Sequence, residues 1–337
     1  MKRILLIQTG GTIGSTTIDK NINVRDQVIP LSEVYLKGGG RNVVFDLHTP
    51  FHILSENLEP RHWQQLINFI QSQALDLYDG ILLTHGSDTL PYTAALLAYH
   101  FRGISIPLIL VCANKPIDTP HSNGMINFSK AVDFICDTPL PGVFVTYQNH
   151  DGKISVHLGS RLMASDWYYD DFNSFGDGVV YRSDIGLNLS LAESLKDFPK
   201  RKEFTPAPCF KGIDILALRT HPGLRYANLH CEEPPTAFLH ILYHSATANT
   251  TEGTPLSLMH FIKKHPTVPH FLLSFKHSDQ ALYDSSHRLI EAGGIPLQNI
   301  CPEAALAKLY YCAATEPNHL KERATQCLYF EVLPPHF

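Results

Sequence analysis

The feature that most constrains this chain is a set of four short apolar runs, each cut off by a turn and separated from the next by an amphipathic stretch. Residues 4–8, 80–84 (GILLT), 106–113 (IPLILVCA) and 142–147 are apolar on both faces, as strands buried from both sides are. Between them, 61–73 carries Trp63, Leu66, Ile67 and Ile70 on one helical face, and 91–101 and 127–136 also read as helices. Continuous apolar strands alternating with helices predict an α/β fold, a large doubly wound, mostly parallel sheet. Its ligands bind beyond the carboxyl ends of the strands.

From about 185 the character changes. The segment LKDFPKRKEFTPAPCFKG is charged, proline-rich and aperiodic, which marks 191–211 as a linker. Residues 1–190 then form an amino-terminal catalytic α/β domain. After the linker, strands at 213–218, 238–243 and 270–275 alternate with helices at 256–264, 282–292 and 303–312. That pattern makes 212–337 a smaller carboxyl-terminal α/β domain.

Bulk properties exclude several classes. With 44% hydrophobic and 18% charged residues, the 337-residue chain is neither disordered nor a membrane protein. A formal charge of −5 leaves no basic stripe, so no nucleic-acid partner is expected. The 19 histidines are scattered: His62, His150, His157 and His270 stand alone, and no HExxH pair occurs. Neither a metal nor a cofactor is expected. Seven cysteines without a CxxC, with Cys112 and Cys209 beside apolar segments, suit reduced core thiols. The run 4–7 is too short for a signal-peptide core, and no stretch nears the roughly 20 apolar residues of a spanning helix. A cytoplasmic protein with no membrane partner is the expectation.

Four segments hold candidate chemistry. Thr9-Gly10-Gly11-Thr12-Ile13-Gly14 follows the first strand, where two glycines permit a tight turn and Thr12 projects a hydroxyl. The alternative, a phosphate-binding turn, lacks both GxGxxG and GK[ST]. Thr84-His85-Gly86-Ser87-Asp88-Thr89 ends the GILLT strand and precedes a helix opened by Pro91. A hydroxyl beside a carboxylate there suits nucleophile activation or substrate capture. Asp88 as a helix cap is the competing role. Ser55-Glu56-Asn57 is either an N-cap turn or a contact for the charged end of an amino acid. Lys115, after the IPLILVCA strand, is either a cation at the same edge or a surface lysine.

Together, TGGTIG, DGILLTHGSDTLPYTAALL and the later SNGMINFSKAV resemble the L-asparaginase/glutaminase family with a threonine nucleophile. GVFVTY, LGSRLM and DDFNSFGD resemble its strand-and-arginine segment, THPG an interdomain-proximal turn and LIEAGGIPLQNICPEAALAKLYY its carboxyl-terminal ending. The resemblance implies that Thr12 is the primary nucleophile and that Ser87 and Asp88 position substrate and water. It also implies substrate contacts at Gly11, Ser55, Glu56 and Gly86, with Asn249 contributed by a neighbouring protomer of a homodimer or homotetramer.

Two departures accompany it. The family's lysine after the arginine is missing from Arg161-Leu162-Met163-Ala164, and its loop tyrosine is missing from 15–26. The implied reaction is attack by Thr12 on the side-chain amide of asparagine or a related small amino-acid amide. The Gly11 and Ser87 amides hold the oxyanion, and Lys115 is one candidate to replace the lost charge. Glu56 would favour an α-amino group. The alternative is a non-hydrolytic amino-acid-binding or scaffold protein derived from the same fold.

Overall fold

The computed structural model describes residues 1–18, 21–24, 31–276 and 281–334, with side-chain surroundings for all of these but 16–18 and 21–24. They divide into two compact units, Met1–Ala207 and Pro208–Phe337.

In the first unit, β1 (Lys2–Gln8), β2 (Ser15–Ile18), β3 (Asn21–Val24) and β4 (Val43–His48) precede β5 (Gly80–Thr84), β6 (Pro107–Val111) and β7 (Gly142–Gln148). Then come β8 (Ile154–Leu158), β9 (Val179–Arg182) and β10 (Gly186–Leu187). One sheet runs β10-β9-β8-β7-β6-β5-β1-β4, and β2 pairs with β3 apart from it. β4, β1, β5, β6 and β7 are mutually parallel, whereas β8 to β10 extend the sheet antiparallel. Among the five parallel strands the order is second-first-third-fourth-fifth. It reverses between β1 and β5, the position at which open α/β sheets leave a crevice at their carboxyl ends.

The helices are α1 (Leu31–Lys37), α2 (Pro60–Gln71), α3 (Leu90–His100), α4 (Gly124–Asp137) and α5 (Leu189–Asp197). α2 buries Trp63, Leu66, Ile67 and Ile70, the face expected from its periodicity. Its cap is a reciprocal pair, Glu59 with His62, so Ser55 is not the cap of this helix. α3 buries every residue except Tyr92.

The segment 191–211 is not linker throughout. α5 reaches into it because Leu191, Ala192 and Leu195 form a buried stripe and Asn188 caps the helix by accepting from the Leu191 amide at 3.1 Å. Cys112 is buried, but Cys209 is exposed between buried Pro208 and Phe210, so it is not the core thiol expected.

The second unit contains β11 (Ile215–Arg219), β12 (Ala237–Ile241), β13 (His270–Phe275) and β14 (Gly294–Gln298), parallel and in sequence order. Its helices are α6 (Leu258–Lys264), α7 (Asp284–Glu291), α8 (Pro302–Thr315) and α9 (Leu320–Thr325). Tyr226, Phe238, Leu258, Phe261, Ile262, Leu272 and Leu289 form its core. Among the described residues of both units, no helix is long and apolar enough to cross a membrane.

Candidate active site

β1 and β5 pair in register up to Gln8 and Thr84, so the two glycine turns leave the sheet side by side at its switch point. They are tied at their base. The Thr9 hydroxyl donates to the Thr84 carbonyl at 2.6 Å, and the Thr9 amide donates to the Thr84 hydroxyl at 3.3 Å. Beyond that tie the backbones touch. Gly11, at φ 74°, lies so close to the second turn that an added Cβ would fall 2.3 Å from the Gly86 nitrogen. A Cβ on Gly86 would fall 2.3 Å from the Ser55 hydroxyl oxygen. Only glycine fits at either position, and the contact brings three loops to one point.

The residues that follow those glycines are the predicted ones. Thr12 is half-buried at the start of a 3₁₀ turn, Thr12–Gly14, while Ser87 is half-buried and Asp88 exposed at the head of α3. Asp88 does not cap α3. The residue at the N-cap is Thr89, whose side chain makes no cap bond; its hydroxyl donates to the Ser55 carbonyl at 3.1 Å. Ser55 is itself buried, in a 3₁₀ turn Ser55–Asn57, and Glu56 is exposed beside it.

One expected role is overturned. The Gly11 amide donates to the Ile53 carbonyl at 3.0 Å, and Ile53 in turn donates to the Thr9 carbonyl at 3.0 Å. Gly11 N–H is therefore committed to the neighbouring loop and is not free for an oxyanion. The amides of Thr12 and Ser87 have no acceptor among the described residues.

The surroundings are dry below and polar above. His85 is fully buried, and burial holds its pKa at about 4; its Nδ1 meets the Gly86 carbonyl at 2.8 Å, where a neutral ring donates. Burial, with the Asp88 charge nearby, pushes the Cys112 thiol up, so this thiol is a neutral packing group.

The loop after β6 is fixed by asparagines. The Asn114 and Asn123 side chains each accept from the other's backbone amide, at 3.1 and 2.9 Å, and Asn127 bridges the Cys112 carbonyl and the Gln148 amide. Sequence reasoning pointed to this loop, Asn114 to Gly124, but not to the pairing of its asparagines or to Asn127. It also passed over His52, whose ring lies against Gly10 and Gly14 of the nucleophile turn. Lys115 is exposed at the same sheet edge and forms no ion pair with a described residue.

The lysine position lies on an arm. Met163 donates to Asn173 at 3.0 Å and Phe175 to Arg161 at 2.7 Å, making 161–175 an extended excursion. Asn149, just past β7, clasps Phe172 of the arm at 3.0 and 3.1 Å. Ala164 is exposed there. The loop 15–26 lies partly outside the described residues, at 19, 20, 25 and 26. Asn249 belongs to the second unit, where its side chain accepts from the Thr251 amide at 2.9 Å. Among the described residues no group of three His, Cys, Asp or Glu is placed to hold a metal ion.

A family model described as asparaginase, N-terminal, matches residues 3–193, which span both turns, the Ser55 loop and the arm. The chain belongs to the asparaginase family. A glutamyl-tRNA(Gln) amidotransferase subunit from Sulfurisphaera tokodaii is 25% identical, over 95% of this chain and 72% of its own length. The protein of the same name from Sulfolobus acidocaldarius is 26% identical over 93% and 71%. Among solved structures, L-asparaginase I from Vibrio cholerae superposes with a TM-score of 0.79 at 24% identity, covering 99% of each chain. The thermostable L-asparaginase from Thermococcus kodakarensis gives 0.76 at 21%, covering 98% of this chain and 99% of its own. The asparaginase fold thus extends over both units.

Proposed function

We propose that this asparaginase-family chain hydrolyses the side-chain amide of asparagine or a related amino-acid amide through an acyl-enzyme on Thr12. The observation that supports this most is the contact of Gly11, Gly86 and Ser55, because Thr12 directly follows Gly11 and Ser87 and Asp88 directly follow Gly86. The Thr12 oxygen attacks the amide carbon while the free amides of Thr12 and Ser87 receive the developing negative charge. A preorganised donor of this kind is worth ~10²–10³ in rate. Ammonia leaves with the proton shed by the Thr12 hydroxyl, and water held by Ser87 and Asp88 then cleaves the ester. Buried Ser55 and exposed Glu56 meet the charged end of the substrate. Lys115 and a neighbouring copy's Asn249 belong to the same proposal, as do a homo-oligomer and a cytoplasmic setting.

The relatives favour a second reading. Proteins named as subunits of a glutamyl-tRNA(Gln) amidotransferase match 93–99% of this chain. On that reading the chain frees ammonia for a partner protein and is slow when alone. Its charge of −5 argues that a partner rather than this chain would meet nucleic acid.

One experiment addresses these readings. Ammonia release is measured for the purified chain with asparagine, glutamine and longer amides, alongside Thr12→Ala and Ala164→Lys. The expectation is measurable release, reduced on the order of 10²–10⁴-fold in Thr12→Ala, with Ala164→Lys raising it by returning a cation to the exposed arm. Thermal stabilisation by the same amides with no ammonia from any of them would replace the hydrolase with a binding protein.

A further inference from the structure

The second unit carries a cavity of about 300 Å³ that the amide chemistry does not use. It lies between Tyr226–Asn228, the 253–257 loop and α6, all within that unit. Its polar side is one face of a single helix. Ser257, His260, Phe261 and Lys264 recur at the spacing that brings residues together on a helical surface, and all four line the space. Opposite them, Tyr226, Leu229 and Pro255 give an apolar floor, with Tyr226 and Phe261 rings 5.5 Å apart.

The wall behind is rigid. His265 closes the end of α6 with its ring 4.6 Å from that of Phe261. Its backbone carbonyl accepts from His270 Nε2 at 3.1 Å, so in the neutral ring His270 Nδ1 accepts a hydrogen bond from buried His240 Nε2 at 3.0 Å. This chain leaves His240 Nδ1 as a bare, unpartnered acceptor. Burial depresses both rings below their ordinary pKa, to about 4 for His270, so the relay is neutral and fixes one orientation. Lys264, exposed next to His265 in sequence, lines the same space.

We propose that this cavity binds a small carboxylate with an apolar body, the body against Leu229 and Pro255 and the charge on Lys264 and His260. The described lining holds three cationic or protonatable residues, His260, Lys264 and His265, and three hydroxyl-bearing ones, Tyr226, Thr254 and Ser257, but no carboxylate. An α-ammonium group finds no counter-charge there. The site therefore selects against amino acids and is not a second copy of the amide site.

The test is titration of the full chain with phenylacetate, followed by calorimetry and ligand-observed NMR, with benzyl alcohol, acetate, L-phenylalanine and phenyl phosphate as comparisons. Phenylacetate should bind one to one and at least about tenfold tighter than benzyl alcohol, acetate or L-phenylalanine. Lys264→Met should weaken it about tenfold, and Ala227→Phe, at an exposed lining position, should abolish it. Circular dichroism of both variants checks that they fold. No binding up to roughly 10 mM, or an affinity that neither variant changes, overturns the proposal. Phenyl phosphate binding about tenfold tighter than phenylacetate overturns the choice of carboxylate.

Discussion

Gly86 makes a sharper test of the site than the polar residues beside it. Its backbone needs no left-handed conformation, so its requirement is purely for space, against a Ser55 side chain that is itself buried. Alanine at 86 must push the Ser55 loop away, which by the usual cost of overpacking destabilises the protein by about 1–3 kcal/mol. Ser55→Ala gives no relief, because the Ser55 Cβ already lies 2.5 Å from the added methyl; Ser55→Gly does. Urea unfolding of the four variants is expected to show Gly86→Ala recovering most of its loss only in the Ser55→Gly background. Additive effects would mean that the two loops do not share this contact. Gly11 differs, since an added Cβ meets the Gly86 backbone, which cannot step aside. That the first turn needs glycines was legible in the sequence. That the Gly11 amide is spent on Ile53 was not, because its partner arrives from a loop some forty residues later.

At the scale of elements, legibility followed burial. β5 and β13 were read at their true bounds, and β1, β6 and β7 within two residues, because each is an apolar run buried on both faces. β4 escaped notice because it is an edge strand in which Asp46 and His48 interrupt the apolar run. α5 was hidden by the prolines and charges that follow it.

The carboxyl-terminal segment was equally silent, and it is pinned by a buried pair. Lys308 of α8 and Glu331 are 1% and 0% exposed with 2.8 Å between them. Glu331 also accepts from the Leu328 and Tyr329 amides at 2.7 and 2.6 Å. Lys308→Met strands a buried carboxylate and is expected to cost about 3–5 kcal/mol in urea unfolding. Loss of the exposed Glu33–Lys37 pair by Lys37→Met should cost under about 1 kcal/mol. Equal effects would show the inner pair to be hydrated.

Over the whole molecule, the histidines that looked scattered in sequence become one property. His85, His100 and His157 in the first unit and His270 in the second are held neutral by burial, each with its pKa lowered to about 4. The unfolded chain binds a proton at each near pH 6.5, and the folded chain does not until about pH 4. Stability from these groups is therefore complete above pH 6.5, falls as the pH drops towards 4, and falls no further from this source below that. Each contributes a slope of up to ~1.4 kcal/mol per pH unit within the window. The carboxylates act lower down: Asp46 and Asp79 are held below their ordinary value of 3.8 by hydrogen bonds from Tyr78 and Lys2, so their stabilisation is lost only beneath that pH. Acid destabilisation should accordingly begin near pH 6.5 rather than near 4. Urea midpoints measured every half unit from pH 7.5 to 4.5 check this, with His157→Gln expected to flatten the slope by up to about 1.4 kcal/mol per pH unit. A midpoint that stays constant down to pH 5 would mean that these rings take up protons in the folded protein, through water reaching sites that the packing shows closed.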